Sequence, residues 1–525
     1  MEQQYDVVIV GGGPVGMGLA LDLGLRGHTC AVVEKRPKLS LIPKGQGLSQ
    51  RSFEHLWRWG ISEQVREARS LPRGYGIGQV TIYDNLKSGV WDALPGRELV
   101  QRYYFQKNER LPQYRTEEVL RRRVAELPNV DIYLGWTATE ITQDDQSASV
   151  TVEQGSEQRT LTGKYLVGSD GGSSMVREHS GIKRAGSDFG ELVALVVFSS
   201  KEFSALLDEF PKRTTYRVMT PSLQGYWMFF GRVDDENQFF FHAPVPADAA
   251  DREKAAVDLI SQAAGVPVQV DVEHIGFWDL RVSVAEEYRS GRIFVAGDAA
   301  HTHPPYGGFG LNNGLEDAVN LAWKLDAVLN GWAGDALLDT YSPERGDVFR
   351  GVGEKLIAGW ILDDREFLST HRPGDDMEQF REEFAEVSRG FGQRLSKFEP
   401  NYEGSTAVIG PVGGVNSALG THTLTARAGH HLPPCPLASG RDVFEELGPG
   451  FTLIGLGADD DAVAAIVDSA AGFGVPLTVV RDDRGEDRAE YGAGLILVRP
   501  DQFVAWAGDT APESCDDMWR QLLGR

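Results

Sequence analysis

Cysteine is scarce in this sequence: three in 525 residues, at Cys30, Cys435 and Cys515. They are too few and too far apart for a disulfide framework or a CxxC redox centre. They read as free thiols of a reducing compartment, so a cytoplasmic location is expected. Cationic charge is also short. The 52 Lys and Arg face 76 Asp and Glu, a formal net charge of −24. Polyanions are repelled by such a chain, which argues against general nucleic-acid binding and against anionic membrane surfaces. No apolar run approaches the roughly 18 residues that cross a bilayer. The start, Met1-Glu2-Gln3-Gln4, lacks a basic n-region, so no secretory signal is expected. Internal repeats at solenoid periods are absent as well. The remainder is ordinary globular composition, 41% hydrophobic and 24% charged. The length suggests roughly three domains.

Glycine is what the chain has in pattern. Gly11, Gly13 and Gly16 follow the apolar run Val7-Val8-Ile9-Val10 and precede a helical stretch from Met17 to Gly24. In such a turn the first glycine permits the bend, the second lets backbone approach a pyrophosphate, and the third packs helix on strand. Ala31-Val32-Val33 forms a second strand that delivers Glu34 to its carboxyl end, where a carboxylate accepts from ribose hydroxyls. Val15 inside the turn and Lys35 beyond the strand complete this candidate cofactor set.

The turn alone does not separate NAD from FAD. A later segment does: Ile293-Phe294-Val295-Ala296 leads to Gly297-Asp298, and a carboxylate there suits a ribityl hydroxyl, which nicotinamide dinucleotides lack. Gly307, Gly308 and Gly310 then allow close approach to a flat ring. A helix expected to start near Asn313 points its positive end at the flavin N1–C2=O edge. His301 and His303 have the spacing of a metal pair, but no cysteine or carboxylate cluster accompanies them, and no metal is expected.

Between these segments the texture changes. From about 185 to 278 the strands are aromatic-rich, including Tyr226 to Phe230 and Phe239 to Phe241, and suggest an inserted antiparallel sheet. The stretch 71–94 is strand-like and is expected to leave the first domain. Residues 363–397 read as helical. Beyond about 405 a small α/β domain follows.

The segment from Trp278 to Leu325, with Leu337-Leu338-Asp339-Thr340-Tyr341-Ser342-Pro343-Glu344-Arg345 and Ser169-Asp170-Gly171-Gly172, resembles the class A flavoprotein monooxygenases, the single-component FAD aromatic hydroxylases. The resemblance covers about 1–400. The C-terminal part resembles the thioredoxin-like appendage of the phenol-hydroxylase branch, without CxxC, and ends on Val498-Arg499-Pro500-Asp501 and Val504-Ala505-Trp506.

The fold so implied is α/β. A Rossmann-type FAD-binding domain occupies 1–75, 100–184 and 285–350, and a substrate-binding sheet 76–99 and 185–284. A helical connector follows at 351–404 and a thioredoxin-like domain at 405–525. The resemblance further implies FAD, NAD(P)H as co-substrate, and O2. Hydroxylation of a phenolic or hydroxylated heteroaromatic compound would proceed through a C4a-hydroperoxyflavin. A homodimer is common for this architecture.

Residue by residue, Asp170 matches the Asp-Gly motif, Asp298 the ribityl aspartate, and Gly310, Leu311 and Asn312 the backbone facing the flavin pyrimidine ring. Gln113 matches a glutamine that contacts FAD, and Pro305 a proline beside the reacting edge. Lys44 and Ser173 stand where the family usually has arginine. Tyr226, Trp227, Phe240, His242 and Arg281 are substrate-side candidates, with His242 as a base for a phenol. The alternatives are epoxidation or Baeyer–Villiger-type oxidation of an aromatic polyketide, and a non-catalytic protein that binds flavin and an aromatic ligand.

Overall fold

The computed structural model describes residues 4–94, 96–374, 376–482 and 490–525. The charged stretch Arg481 to Arg488, expected from its sequence to be a solvated loop, lies outside them from residue 483 on. The first sheet has a parallel centre in the order Ile293–Val295, Glu157–Gly168, Gln4–Val10, Cys30–Glu34, Val130–Leu134. Its central strand is buried on both faces, which is why it reads as a continuous apolar run. Register decides what this sheet does. Val33, Val10, Gly168 and Val295 lie side by side in one row. The segments that leave this row, at Glu34, Gly11, Ser169 and Ala296, therefore emerge together at the carboxyl edge, where open parallel sheets bind ligands.

The second sheet has eight strands. In order they are His301–Thr302, Asp271–Ala285, Arg184–Ser199, Gln238–Pro246, Trp227–Arg232, Arg213–Met219, Gly76–Tyr83 and Trp91–Leu94. The expectation of an antiparallel sheet needs correction: Arg213–Met219 runs parallel to Gly76–Tyr83. The chain enters this sheet three times, at 76–94, 184–285 and 301–302, so the early hairpin joins through a long crossover instead of a tight turn. Period-two alternation gives the sheet two faces. One carries Val196, Phe198, Phe230, Phe239 and Phe241 in a core with Ala256 and Ile260 of the Arg252–Ala264 helix. The other carries Leu195, Val197, Phe240, Phe229 and Trp278, packed against Ile42 of the first domain.

The expected helix over 363–397 is two helices, Ala358–Thr370 and Met377–Ser396. His371-Arg372-Pro373-Gly374 breaks it, because proline disfavours helix in the residue before it. The C-terminal sheet runs Leu477–Asp482, Phe451–Leu456, Leu495–Val498, Val504–Gly508. Its Arg499–Gln502 turn is buried against the helices Phe309–Leu329 and Tyr341–Gly351. There Arg499 donates to Glu344 at 2.8 and 2.9 Å and to Asp501 at 3.0 and 2.6 Å. No helix among the described residues is long and apolar enough to cross a membrane. Trp57 and Trp59 are packing residues: Trp57 meets Phe105 edge-on, and buried Trp59 donates Nε1 to Asp22 at 2.8 Å.

Candidate active site

The glycine turn is built for a ligand. Gly11 has φ +113°, and a Cβ there would lie 2.3 Å from the Ser169 carbonyl oxygen. A Cβ on Gly16 would lie 2.0 Å from the Gly11 oxygen. Around Gly13 there is open space instead. Gly13 opens the helix Pro14–Leu25, which has neither a side-chain cap nor an acid in its first turn. Its free N–H groups and positive end thus face an empty approach suited to a diphosphate. Glu34 frames that approach by accepting from Gly12 N–H at 2.9 Å and Arg36 N–H at 2.8 Å. Lys35 is exposed beyond it. Val15 is a packing pivot, since a Cβ on either Gly297 or Gly314 would run into it.

The second helix aimed at the cleft is Phe309–Leu329, which starts four residues before the expected Asn313. Gly307 and Gly308 both have positive φ, +75° and +65°, and turn the chain so that Phe309 is already helical. Gly310, Leu311 and Asn312 therefore carry the uncapped N–H groups of the first turn. The Asn312 side chain is structural. It accepts from Ser49 N–H at 2.8 Å and Ser52 Oγ at 2.7 Å, and donates to Gly47 and Gly308 carbonyls. This ties the 44–49 loop to the helix. Gln113 Oε1 accepts from Gly45 N–H at 3.1 Å and fixes the same loop, leaving Lys44 exposed.

Asp298 is open to the cleft, yet close protein walls raise its carboxyl by desolvation, opposed by His301, Lys44 and Arg184. Asp170 is turned to structure: it accepts from Ser174 Oγ and Val176 N–H at the start of the helix Met175–His179.

Several supporting residues were not singled out from the sequence. Asp317 is fully buried and accepts from Gly297 N–H at 2.9 Å, His301 Nε2 at 2.6 Å and Arg345 Nε at 2.7 Å. It thereby holds the Asp298 turn on the helix Phe309–Leu329. Arg184 donates to the carbonyls of Gly172, Asp298 and Ala299 and joins the Asp170 loop to that turn. Their signal in the sequence is a charge set among apolar helix positions, visible for Asp317 and absent for Arg184.

On the substrate side, cross-strand register brings Leu195, His242 and Phe229 into one row of the sheet's inner face. His242 is 5% exposed, with ring centroids of Trp278, Phe240 and Phe229 at 5.5, 5.6 and 6.4 Å. Burial alone pulls its imidazole down to about 3, so it is neutral at pH 7. Its Nδ1 is buried without a partner.

Pro305 opens the turn at Tyr306–Gly308, which meets the sheet where the Tyr306 hydroxyl accepts from Trp227 N–H at 3.3 Å. Trp227 is core: its ring lies 4.3 Å from that of Tyr306, tilted by 37°, and it donates Nε1 to Asp364. Tyr226 is half-buried at the rim of that cluster, with Arg365 at 6.0 Å. Arg281 does not join this aromatic face; it lines a surface cavity with Gly172, Ser173, Arg177 and Arg184. Alternation places it on the face opposite Trp278, exposed and paired with Asp279 at 3.2 Å. The residues present fit FAD: two uncapped helix starts, an open glycine and a cleft-facing carboxylate converge on one edge.

Comparison with known proteins agrees. Residues 4–355 match the model of an FAD binding domain, and 425–525 that of the aromatic-ring hydroxylase C-terminal region. The chain is 31% identical to a tetracenomycin B2 monooxygenase-dioxygenase of Streptomyces olivaceus, covering 99% of this chain and 98% of the relative. It is 30% identical to a 4-methyl-5-nitrocatechol 5-monooxygenase of a Burkholderia species, covering 96% and 94%. Among solved structures, a ternary complex of aklavinone-11 hydroxylase with FAD and aklavinone superposes with a TM-score of 0.82 at 26% identity, covering 100% of both chains. The chain belongs to the FAD-dependent aromatic-ring hydroxylase family and is a flavin monooxygenase.

Proposed function

We propose that this enzyme hydroxylates a phenolic or hydroxylated polycyclic aromatic compound, using NAD(P)H and O2, with the ring held between the inner face of the second sheet and the Pro305 turn. The observation that carries this reading is His242, a neutral imidazole walled by Phe229, Phe240 and Trp278. A neutral ring nitrogen accepts a phenol hydroxyl and draws electron density into the ring, which favours attack ortho or para to it. Aromatic walls exclude water and suit a flat substrate. Pro305 shapes the reacting edge and Tyr226 the rim. The flavin, reduced by NAD(P)H, supplies O2 activation. The uncapped first turn of Phe309–Leu329 would stabilise negative charge on the pyrimidine ring of a bound flavin. The parallel first sheet supports a Rossmann-type assignment, and the C-terminal sheet a thioredoxin-like one. The division into 1–75, 100–184 and 285–350 for FAD, 76–99 and 185–284 for substrate, 351–404 as connector and 405–525 as C-terminal domain follows that reading.

The test is NAD(P)H consumption by FAD-loaded protein across phenols, hydroxynaphthalenes and hydroxyanthraquinones. Stimulated oxidation with a product heavier by one oxygen is expected. Ligands that bind but never stimulate oxidation would refute hydroxylation.

A further inference from the structure

Most guanidinium groups buried around the flavin-facing helix have carboxylate partners. Arg51 pairs with Glu54 and Glu316, Arg345 with Asp317, and Arg499 with Glu344 and Asp501. Arg97 is different. It lies half-buried beside the turn after Pro305, donating Nη2 to the Gly307 carbonyl at 3.1 Å. Its guanidinium sits 5.4 Å from the Phe309 ring and 6.0 Å from Phe398. Its backbone is fixed by Gln50, whose amide donates to the Arg97 carbonyl at 2.7 Å. Among the described residues no carboxylate pairs with it, and desolvation pulls it down to about 10. Arg110 repeats the pattern near the sheet. It lies over the Phe240 ring at 5.2 Å and bonds Gln46 Oε1 and the Arg232 carbonyl, again with no carboxylate.

Desolvated cations without counter-ions are costly, and proteins keep few of them. A guanidinium without a carboxylate partner beside the Pro305 turn, in a chain of net charge −24, sets that turn apart from the anionic background of the molecule. We propose that Arg97 is the anion-recognising residue of the substrate site, and that the aromatic substrate carries a ring carboxylate beside its hydroxyl. The inference rests on the reading that an aromatic ring is seated against the Pro305 turn. Arg97 reaches that turn through Gly307 and keeps further donors for a charge-assisted bond. It sets specificity and takes no part in oxygen transfer.

The test uses FAD-loaded protein and matched pairs that differ in one charge: salicylate and salicylamide, 4-hydroxybenzoate and 4-hydroxybenzamide, 1-hydroxy-2-naphthoate and its amide. Binding is read from perturbation of the flavin spectrum, independent of turnover. In the native protein at least one acid is expected to bind about tenfold tighter than its amide. Arg97→Gln should abolish that ratio while binding the amide normally. Arg97→Lys should restore part of it, because charge returns without the fork. Absence of any acid preference in the native protein, or a preference undiminished in Arg97→Gln, overturns the proposal. Failure of hydroxylation in the turnover assay would instead remove the underlying reading, so the two failures are distinct.

Discussion

Replacing His242 by leucine isolates a single proton. The native imidazole is held down to about 3 by burial, whereas in the unfolded chain it titrates near 6.5. At pH 8 both states are neutral and the residue contributes no pH dependence. As pH falls below 6.5 the unfolded state takes up a proton that the native state refuses, so stability is lost as pH falls through this window. At pH 5 the linkage amounts to about 2 kcal/mol, from RT times the logarithm of the unfolded protonation ratio. Leucine fills a similar volume among Phe229, Phe240 and Trp278 and cannot titrate. The assay is urea unfolding of FAD-loaded native and His242→Leu protein from pH 8 to pH 5. Unfolding is read from the fluorescence of the eleven tryptophans, of which Trp278 lies 5.5 Å from His242. Every other group titrates alike in both proteins, so only the difference counts. The variant should gain about 2 kcal/mol on the native protein between pH 8 and pH 5. A difference that stays flat with pH would mean that the imidazole is not buried neutral, and its role as a proton acceptor would fall with it.

The glycine turn gives a paired prediction. Gly13→Ala should fold with a thermal midpoint near native but purify with less FAD, since its Cβ enters open space where the diphosphate approaches. Gly11→Ala should lower the midpoint even of the apoprotein, because it meets the Ser169 carbonyl at φ +113°. Near-native stability of Gly11→Ala would contradict that geometry. Arg499→Met removes four bonds to Glu344 and Asp501 and leaves both carboxylates buried, at a cost of about 3–5 kcal/mol. Thermal unfolding with flavin release as the signal should show that loss of this contact loosens the helix Phe309–Leu329. An unchanged release temperature would show the contact to be idle.

The parallel strands were legible because Val7 to Val10 and Ile293 to Val295 are buried on both faces and read as unbroken apolar runs. The glycine turn was legible for a similar local reason, since Gly11 and Gly16 answer to backbone contacts only glycine permits. Helix starts were less so. The sequence pointed to Asn313, but the positive φ of Gly307 and Gly308 begins the helix at Phe309.

Short-range chemistry therefore specified the cofactor: turn, strand end and carboxylate are each written within a few residues. The substrate side was decided only by tertiary structure. Tyr226, Trp227, Phe240, His242 and Arg281 look alike as polar or aromatic residues on strands. Register turned His242 into an aromatic enclosure, made Trp227 core, and sent Arg281 to solvent. Arg97, Arg184 and Asp317 acquire meaning only through carbonyls and amides far away in sequence, at Gly307, Asp298 and Gly297. Local spacing encodes a turn, whereas the sign and burial of a charge depend on what the fold packs around it.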